Sequence, residues 1–326
     1  MAFDMSENIL EIKDLVIEYH TDDGIINAVN GVDLIVKQGE TFGLVGETGA
    51  GKTTIAKAIM RILPSPASKV KSGNILFQGE DIMAKTETEM RKIRGRKVSM
   101  IFQDPMTALN PIEKIGVQIA ETIKIHNKVH SLEAASKAAD MLEMVGIPMD
   151  RFNEYPHQFS GGMKQRVIIA MALACNPMLL LADEPTTALD VTIQAQVLEM
   201  MQDLKARLGT SVVMITHDLG VVADCCDTVA VVYAGEIVEY GSAEHIFEQA
   251  AHPYTIGLFN SLPKLEGKER LIPIKGMMPD PSNLPKGCKF CERCPDAASG
   301  CSEMSPAVTE VSPGHLVKCI KTEVKN

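Results

Sequence analysis

The stretch Thr41-Phe42-Gly43-Leu44-Val45-Gly46-Glu47-Thr48-Gly49-Ala50-Gly51-Lys52-Thr53-Thr54 decides the fold. Its first five residues read as a short buried strand, and from Lys52 to Leu63 the spacing is helical until Pro64 and Pro66 interrupt it. Between strand and helix lies G-x-x-x-x-G-K-T. Glycines there let the backbone curl, so that the N–H groups of Gly46 to Thr54 surround an anion at a helix N-terminus. In this motif Lys52 reaches the β- and γ-phosphates of a nucleotide, and the Thr53 hydroxyl helps to hold Mg²⁺.

Such a loop needs a carboxylate on a neighbouring strand. Leu179-Leu180-Leu181-Ala182-Asp183-Glu184 supplies an apolar run ending in two acids. Asp183 is expected to hold magnesium through water, and Glu184 to polarise an attacking water as general base.

Further out, residues 9–19 and 27–37 alternate Val, Ile and Leu with polar residues and read as β-rich, broken by Asp22-Asp23-Gly24. Apolar strands are expected at 97–103, 178–183, 211–216 and, as the last, 228–233 before the turn Ala234-Gly235-Glu236. From about Ile112 to Ala174 the pattern is helical. Strands that alternate with helices and read as apolar runs predict a mainly parallel sheet covered on both faces, with the helical block inserted. After His252 the composition shifts: eight of the 17 prolines fall between Pro263 and Pro313, which marks a loop-rich tail. No internal repeat is visible.

Composition narrows the function. The 326 residues are 45% hydrophobic and 23% charged, as a globular chain with a real core would be. A net charge of −10, no Trp and 4% aromatics argue against nucleic acid as a partner. A mononucleotide is compatible, because a local nest of N–H groups binds phosphate on an acidic protein. Met1 to Leu10 lacks the pattern of a signal peptide, and no apolar run reaches the roughly 20 residues of a membrane span. The longest, Val167 to Cys175, suits a buried core helix. Any membrane role is therefore expected to go through partner subunits.

Phe159-Ser160-Gly161-Gly162-Met163-Lys164-Gln165-Arg166, about 20 residues before Asp183-Glu184, resembles the L-S-G-G-Q signature of ABC ATPases. Phe159 and Met163 depart from it. Ser160, Gly161 and Gly162, whose hydroxyl and amides suit a γ-phosphate, are kept. Gln103 in Phe102-Gln103-Asp104-Pro105 resembles the Q-loop that senses Mg²⁺, Ala188-Leu189-Asp190 the D-loop, and His217 the switch histidine at the γ-phosphate. Tyr19 stands, by position, where an aromatic stacks on adenine.

The resemblance covers roughly residues 9–250. It implies an α/β P-loop NTPase fold of the ABC type with a helical subdomain at about 112–174, binding ATP and Mg²⁺. It also implies head-to-tail closure of two such domains, each signature capping the other's ATP. A soluble ABC ATPase of DNA repair or the ribosome is the competing class. The single core, the lack of sustained heptads and the acidic balance disfavour it.

His252-Pro253-Tyr254-Thr255, Ser261-Leu262-Pro263, Leu284-Pro285-Lys286-Gly287-Cys288 and Arg293-Cys294-Pro295 resemble the C-terminal region of dipeptide and oligopeptide permeases, here residues 251–326. The resemblance implies a peripheral subunit on the cytoplasmic face of the membrane. Its partners would be a second, different ATPase, two transmembrane permease subunits and an extracellular or periplasmic solute-binding protein. Di- or oligopeptides are the implied cargo, with nickel, glutathione or another small solute as the alternative.

Five of the eight cysteines crowd the last 39 residues. With no export signal, a metal site explains them better than disulfides. Thiolates at these spacings suit a [4Fe–4S] cluster or tetrahedral Zn²⁺ equally. The family resemblance favours the cluster, with Cys288, Cys294, Cys301 and Cys319 as ligands. Cys291 is an extra thiol, a substitute ligand or a bystander, while Cys175, Cys225 and Cys226 read as packing residues.

Overall fold

The computed structural model describes residues 8–104, 107–187, 189–261 and 272–323. Along the chain come strands β1 (Asn8–Thr21), β2 (Gly24–Lys37) and β3 (Thr41–Val45), then helix α1 (Lys52–Ile59). Strands β4 (Ser68–Phe77) and β5 (Glu80–Asp81), helix α2 (Glu87–Ile93) and strand β6 (Val98–Ile101) follow. A helical stretch holds α3 (Ile115–Asn127), α4 (Ser131–Met144) and α5 (Gly161–Leu173). After it come β7 (Leu179–Asp183), α6 (Val191–Leu208), β8 (Ser211–Thr216), α7 (Leu219–Cys225), β9 (Thr228–Tyr233) and β10 (Glu236–Ser242). The last elements are α8 (Ala243–Glu248), α9 (Pro253–Asn260), β11 (Thr309–Ser312), β12 (His315–Val317) and α10 (Ile320–Glu323).

The chain divides into two compact units. One comprises Met1–Leu10, Val36–Thr41 and Phe77–Thr216; the other comprises Glu11–Ile35, Phe42–Leu76 and His217–Asn326.

In the first unit β6, β7 and β8 pair in parallel, with Val98 opposite Leu179 and Asp183 opposite Ile215. Every residue of these strands is buried. That is why they read as unbroken apolar runs rather than alternating ones. The helical block of the same unit is built on a stripe along α3, where Ile115, Ile119 and Ile123 recur one turn apart and are fully buried. Ala134, Ala138, Met141 and Leu142 form the buried stripe of α4, and α5 buries Val167 to Ala170. The helix expected from Val167 to Cys175 thus ends at Leu173.

In the second unit β3 pairs in parallel with β9, Val45 opposite Val231. Helix α1 stops at Ile59, short of the expected Leu63, because Arg61 turns into the left-handed region (φ 50°) and the Ile62 N–H closes back on the Lys57 carbonyl. The expectation that β9 is the last strand is corrected. β10 pairs antiparallel with β9, β12 with β10, and β11 with β12. The sheet of this unit is therefore mixed, and the proline-rich tail returns to extend it.

A buried polar knot secures that return. Glu239 of β10 accepts hydrogen bonds from the Ala251 and His252 N–H groups at 2.7 and 3.0 Å and meets His315 Nε2 of β12 at 2.8 Å. A buried carboxylate is tolerable only when so many of its lone pairs are used.

Candidate functional site

The phosphate loop leaves β3 through Gly46, whose φ is 149° and where a Cβ would lie 2.1 Å from the Val232 carbonyl oxygen of β9. Gly51, at φ 105°, caps α1, and a Cβ there would lie 2.4 Å from the Ala28 carbonyl oxygen. No L side chain fits at either place. The loop is so tight that Lys52, 6% exposed, folds back to donate to the Gly46 and Glu47 carbonyls at 2.6 and 2.9 Å. Thr48 and Gly49 are exposed at its mouth and Ala50 is buried, its carbonyl accepting from the Gly235 N–H. Thr53 and Thr54 open the helix, and the Thr54 hydroxyl lies 3.3 Å from that of Tyr19, which is half-buried.

Sequence reasoning missed what holds Glu47. Its N–H donates to the Tyr254 hydroxyl at 2.9 Å, and its carboxylate takes both arms of the Arg293 guanidinium at 2.8 and 3.0 Å. Arg293 also donates to the Tyr233 hydroxyl (3.3 Å) and the Lys275 carbonyl (3.1 Å). Burial works against its charge, but the hydrogen bonds to Glu47 and Tyr233 hold its pKa above the ordinary value. Tyr233, Tyr254 and Phe290 pack around it with ring centroids 4.6 to 5.4 Å apart. Burial, with Glu47 nearby, pushes the Tyr254 phenol well up. The motifs that carry Tyr254 and Arg293 show nothing of this contact, because its partners lie far away in sequence.

His217 begins the chain's return into this unit and is exposed, while the neighbouring Asp218 carboxylate caps α7 by accepting from the Gly220 and Val221 N–H groups.

In the other unit, β7 delivers Asp183, 1% exposed, and then Glu184. Glu184 has φ 49°, a conformation that a glutamate adopts only under constraint. The constraint is visible: its N–H donates to the Ile215 carbonyl of β8 at 2.8 Å. Its carboxylate receives the Gln103 amide and the Thr187 hydroxyl, both at 3.1 Å. Gln103 and Glu184, distant in sequence, are thus brought within hydrogen-bond distance of each other. Pro105 and Ala188 lie outside the described residues.

Ser160 caps α5, its hydroxyl accepting from the Met163 N–H at 3.4 Å, so Gly161 and Gly162 sit at a helix N-terminus. A Cβ on Gly162 would lie 2.5 Å from the Ile193 side chain. Asp190 caps α6 by accepting from the Ile193 N–H at 3.0 Å. The two departures from the family signature share one neighbour. The Arg151 guanidinium stands 4.3 Å over the Phe159 ring and 3.2 Å from the Met163 sulfur. An aromatic face and a soft sulfur both suit a guanidinium.

Cys288, Cys291, Cys294, Cys301 and Cys319 all line one cavity floored by Phe290. The Cys288 and Cys301 backbones are joined, the Cys288 N–H donating to the Cys301 carbonyl at 2.8 Å. Burial pushes the Cys288 thiol up to about 11, with Cys291, Cys301 and Cys319 adding to it, and burial also raises Cys291 and Cys294. A cation would reverse that balance, since it favours the thiolates that burial disfavours. The donor set therefore suits a thiophilic metal in kind. Among the described residues, however, no group of three or more His, Cys, Asp and Glu is drawn in to ion-holding distance. Cys226 is buried as a packing residue, and Cys175 and Cys225 are half-buried. Leu262 and Pro263 lie outside the described residues.

Among the described residues no helix is long and apolar enough to cross a membrane. Residues 29–187 match the ABC transporter family, and residues 238–301 the C-terminal region of oligopeptide/dipeptide transporters. The chain is 51% identical over 314 residues to the oligopeptide transport ATP-binding protein OppD of Bacillus subtilis, covering 95% of this chain and 88% of that protein. It is 48% identical over 317 residues to the dipeptide transport ATP-binding protein DppD of the same organism, covering 96% and 94%. The dimeric ATP-binding cassette MJ0796 bound to ADP and Pi superposes with a TM-score of 0.64 at 28% identity, over 72% of this chain and 98% of that one. Glycine-bound phosphate loop, constrained glutamate, signature helix and these likenesses converge, and the chain belongs to the ABC transporter ATPases of the oligopeptide/dipeptide transporter family.

Proposed function

We propose that this chain hydrolyses ATP to drive the import of di- or oligopeptides, with the following division of labour. Gly46 to Thr54 bind the phosphates, Lys52 the β- and γ-groups, and Tyr19 the adenine. Thr53, Gln103 and Asp183 are the groups that would hold Mg²⁺, which when bound would supply positive charge to the phosphates. Glu184 takes the proton of the attacking water, and His217 reads the γ-phosphate. Ser160, Gly161 and Gly162 cap the ATP of a partner subunit in a head-to-tail pair, with Asp190 at the same junction. The observation that carries the reading is Glu184, a buried carboxylate in a strained backbone conformation whose oxygen is aimed by Gln103 and Thr187.

The assembly is a second ATPase, two membrane permease subunits and a solute-binding protein, with this chain peripheral on the cytoplasmic face. Phe102, Ile112 and Val117, exposed apolar residues of the first unit, suit contact with permease loops. Peptide cargo is supported over nickel or glutathione by OppD and DppD of Bacillus subtilis, both named as peptide transport proteins. Residues 251–326 work as a distinct C-terminal region. In it Cys288, Cys294, Cys301 and Cys319 hold a [4Fe–4S] cluster, with Zn²⁺ as the second reading, supported by their common cavity.

Affinity capture of the chain from mildly solubilised membranes tests the assembly. Two polytopic subunits, a second ATPase and a peptide-loaded binding protein are expected, whereas ribosomes or DNA would overturn transport. Iron, sulfide and zinc analysis of anaerobically purified protein tests the metal: zinc without sulfide sinks the cluster.

A further inference from the structure

Glu47 puts a carboxylate inside a loop built to bind polyphosphate, where a free negative charge opposes the ligand. Both of its polar ends are held by the C-terminal segment. Tyr254 takes the N–H, and Arg293 takes the carboxylate in a two-armed ion pair whose guanidinium side chain is 6% exposed. Arg293 stands between Cys291 and Cys294, and its position is set by the turn they occupy. The Cys291 N–H donates to the Cys288 carbonyl at 3.1 Å and the Arg293 N–H to the Phe290 carbonyl at 3.0 Å. The guanidinium also lies 5.7 Å from the Tyr233 ring centre and 5.9 Å from that of Phe290. These contacts, with the bonds to the Tyr233 hydroxyl and the Lys275 carbonyl, fix the guanidinium on Glu47. Released from Arg293, the Glu47 side chain would compete with phosphate for Lys52, whose Nζ already lies 2.9 Å from the Glu47 carbonyl oxygen.

We propose that Arg293 is a positioning residue for nucleotide binding. It neutralises Glu47, draws it off the phosphate loop, and makes ATP affinity depend on the order of the cysteine-bearing turn. This rests on the assignment of Gly46–Thr54 as the phosphate site.

The test is equilibrium binding of Mg-ATP, with adenosine as the phosphate-free control, to the purified full-length chain. Arg293→Ala is expected to weaken ATP about tenfold and leave adenosine unchanged, the scale of one charge-assisted pair. Arg293→Lys falls between. In Arg293→Ala/Glu47→Ala the two losses do not multiply, because the unpaired carboxylate is gone. Should Arg293→Ala fail to fold, Tyr254→Phe, which removes one hydroxyl, is expected to cost about threefold on the same readout.

Wild-type ATP affinity in Arg293→Ala, equal losses for ATP and adenosine, or fully multiplicative losses in the double variant each overturn the inference. If Arg293→Ala gives no folded protein, wild-type affinity in Tyr254→Phe does so. A wild-type chain that binds no ATP overturns the phosphate-site assignment itself and the inference with it.

Discussion

Each compact unit ends a buried parallel strand in a glutamate, and the two are handled in opposite ways. After β3, Glu47 meets a guanidinium and forms a two-armed ion pair. After β7, Glu184 receives an amide and a hydroxyl, both neutral donors, on a backbone forced to φ 49°. A carboxylate whose two oxygens are both taken by a guanidinium has none turned toward a water. One oriented by neutral donors keeps its acceptor strength for a water proton. Similar local sequence, an acid just past an apolar strand, thus yields an ion-paired anchor in one unit and, in the other, an acid aimed by neutral donors, the one proposed above as proton acceptor.

The sharpest way to break this comparison is to neutralise both acids. Glu184→Gln is expected to cut ATP turnover about 10²- to 10⁴-fold, the usual worth of a general base, while ATP stays bound in a trapped dimer detectable by size-exclusion chromatography. Glu47→Gln is expected to weaken binding without producing that trapped species. Rapid turnover by Glu184→Gln would remove the distinction.

Next in size, Lys52→Ala is expected to lower ATP affinity about 100-fold, since it deletes charge-assisted bonds to the phosphates. Calorimetric titration measures it.

A pH effect probes the anchor side alone. Burial pushes His252 down to about 4, and its Nδ1 accepts from the Tyr254 N–H, capping α9 and so aiming Tyr254 at Glu47. An unfolded chain takes up this proton near 6.5, the folded one only near 4. Stability is therefore full above the upper value and falls as pH drops through that window, by up to about 3 kcal/mol. Thermal melts from pH 7.5 to 4.5 should show this loss blunted in His252→Asn, whose carbonyl can still accept from the Tyr254 N–H. An equal slope in both proteins would dismiss His252 as its source.

The smallest effect lies on the other side. Phe159→Leu restores the family residue but forfeits the Arg151 contact, at a cost of about 0.5–1 kcal/mol in chemical denaturation. The loss should vanish when Arg151 is replaced as well.

Much of the molecule could be read without coordinates. β3, β8 and β9 lie where their apolar runs predicted, because a strand buried on both faces writes its burial directly into composition. The phosphate loop was legible for a similar reason: Gly46 and Gly51 occupy positions where a Cβ has no room. Helix α1 was read too long because Arg61 closes the helix in a left-handed turn, which non-glycine residues rarely signal. The strands β11 and β12 were missed because each is short, set among prolines and ordered only by pairing with β10 or with each other.

By itself, then, the sequence determined the ATPase and its family: the loop, the acids and the signature are encoded in short spacings, where a residue type answers to its immediate neighbours. Only the tertiary structure decided that Glu184 is strained and aimed, that Arg151 explains both signature departures, and that the cysteine-bearing turn grips the phosphate loop through Arg293. Contacts such as Arg293 to Glu47, 246 residues apart, leave no periodicity to read. They exist because the returning strands and the aromatic packing around Phe290 bring two distant segments together, and a local pattern carries no record of that meeting.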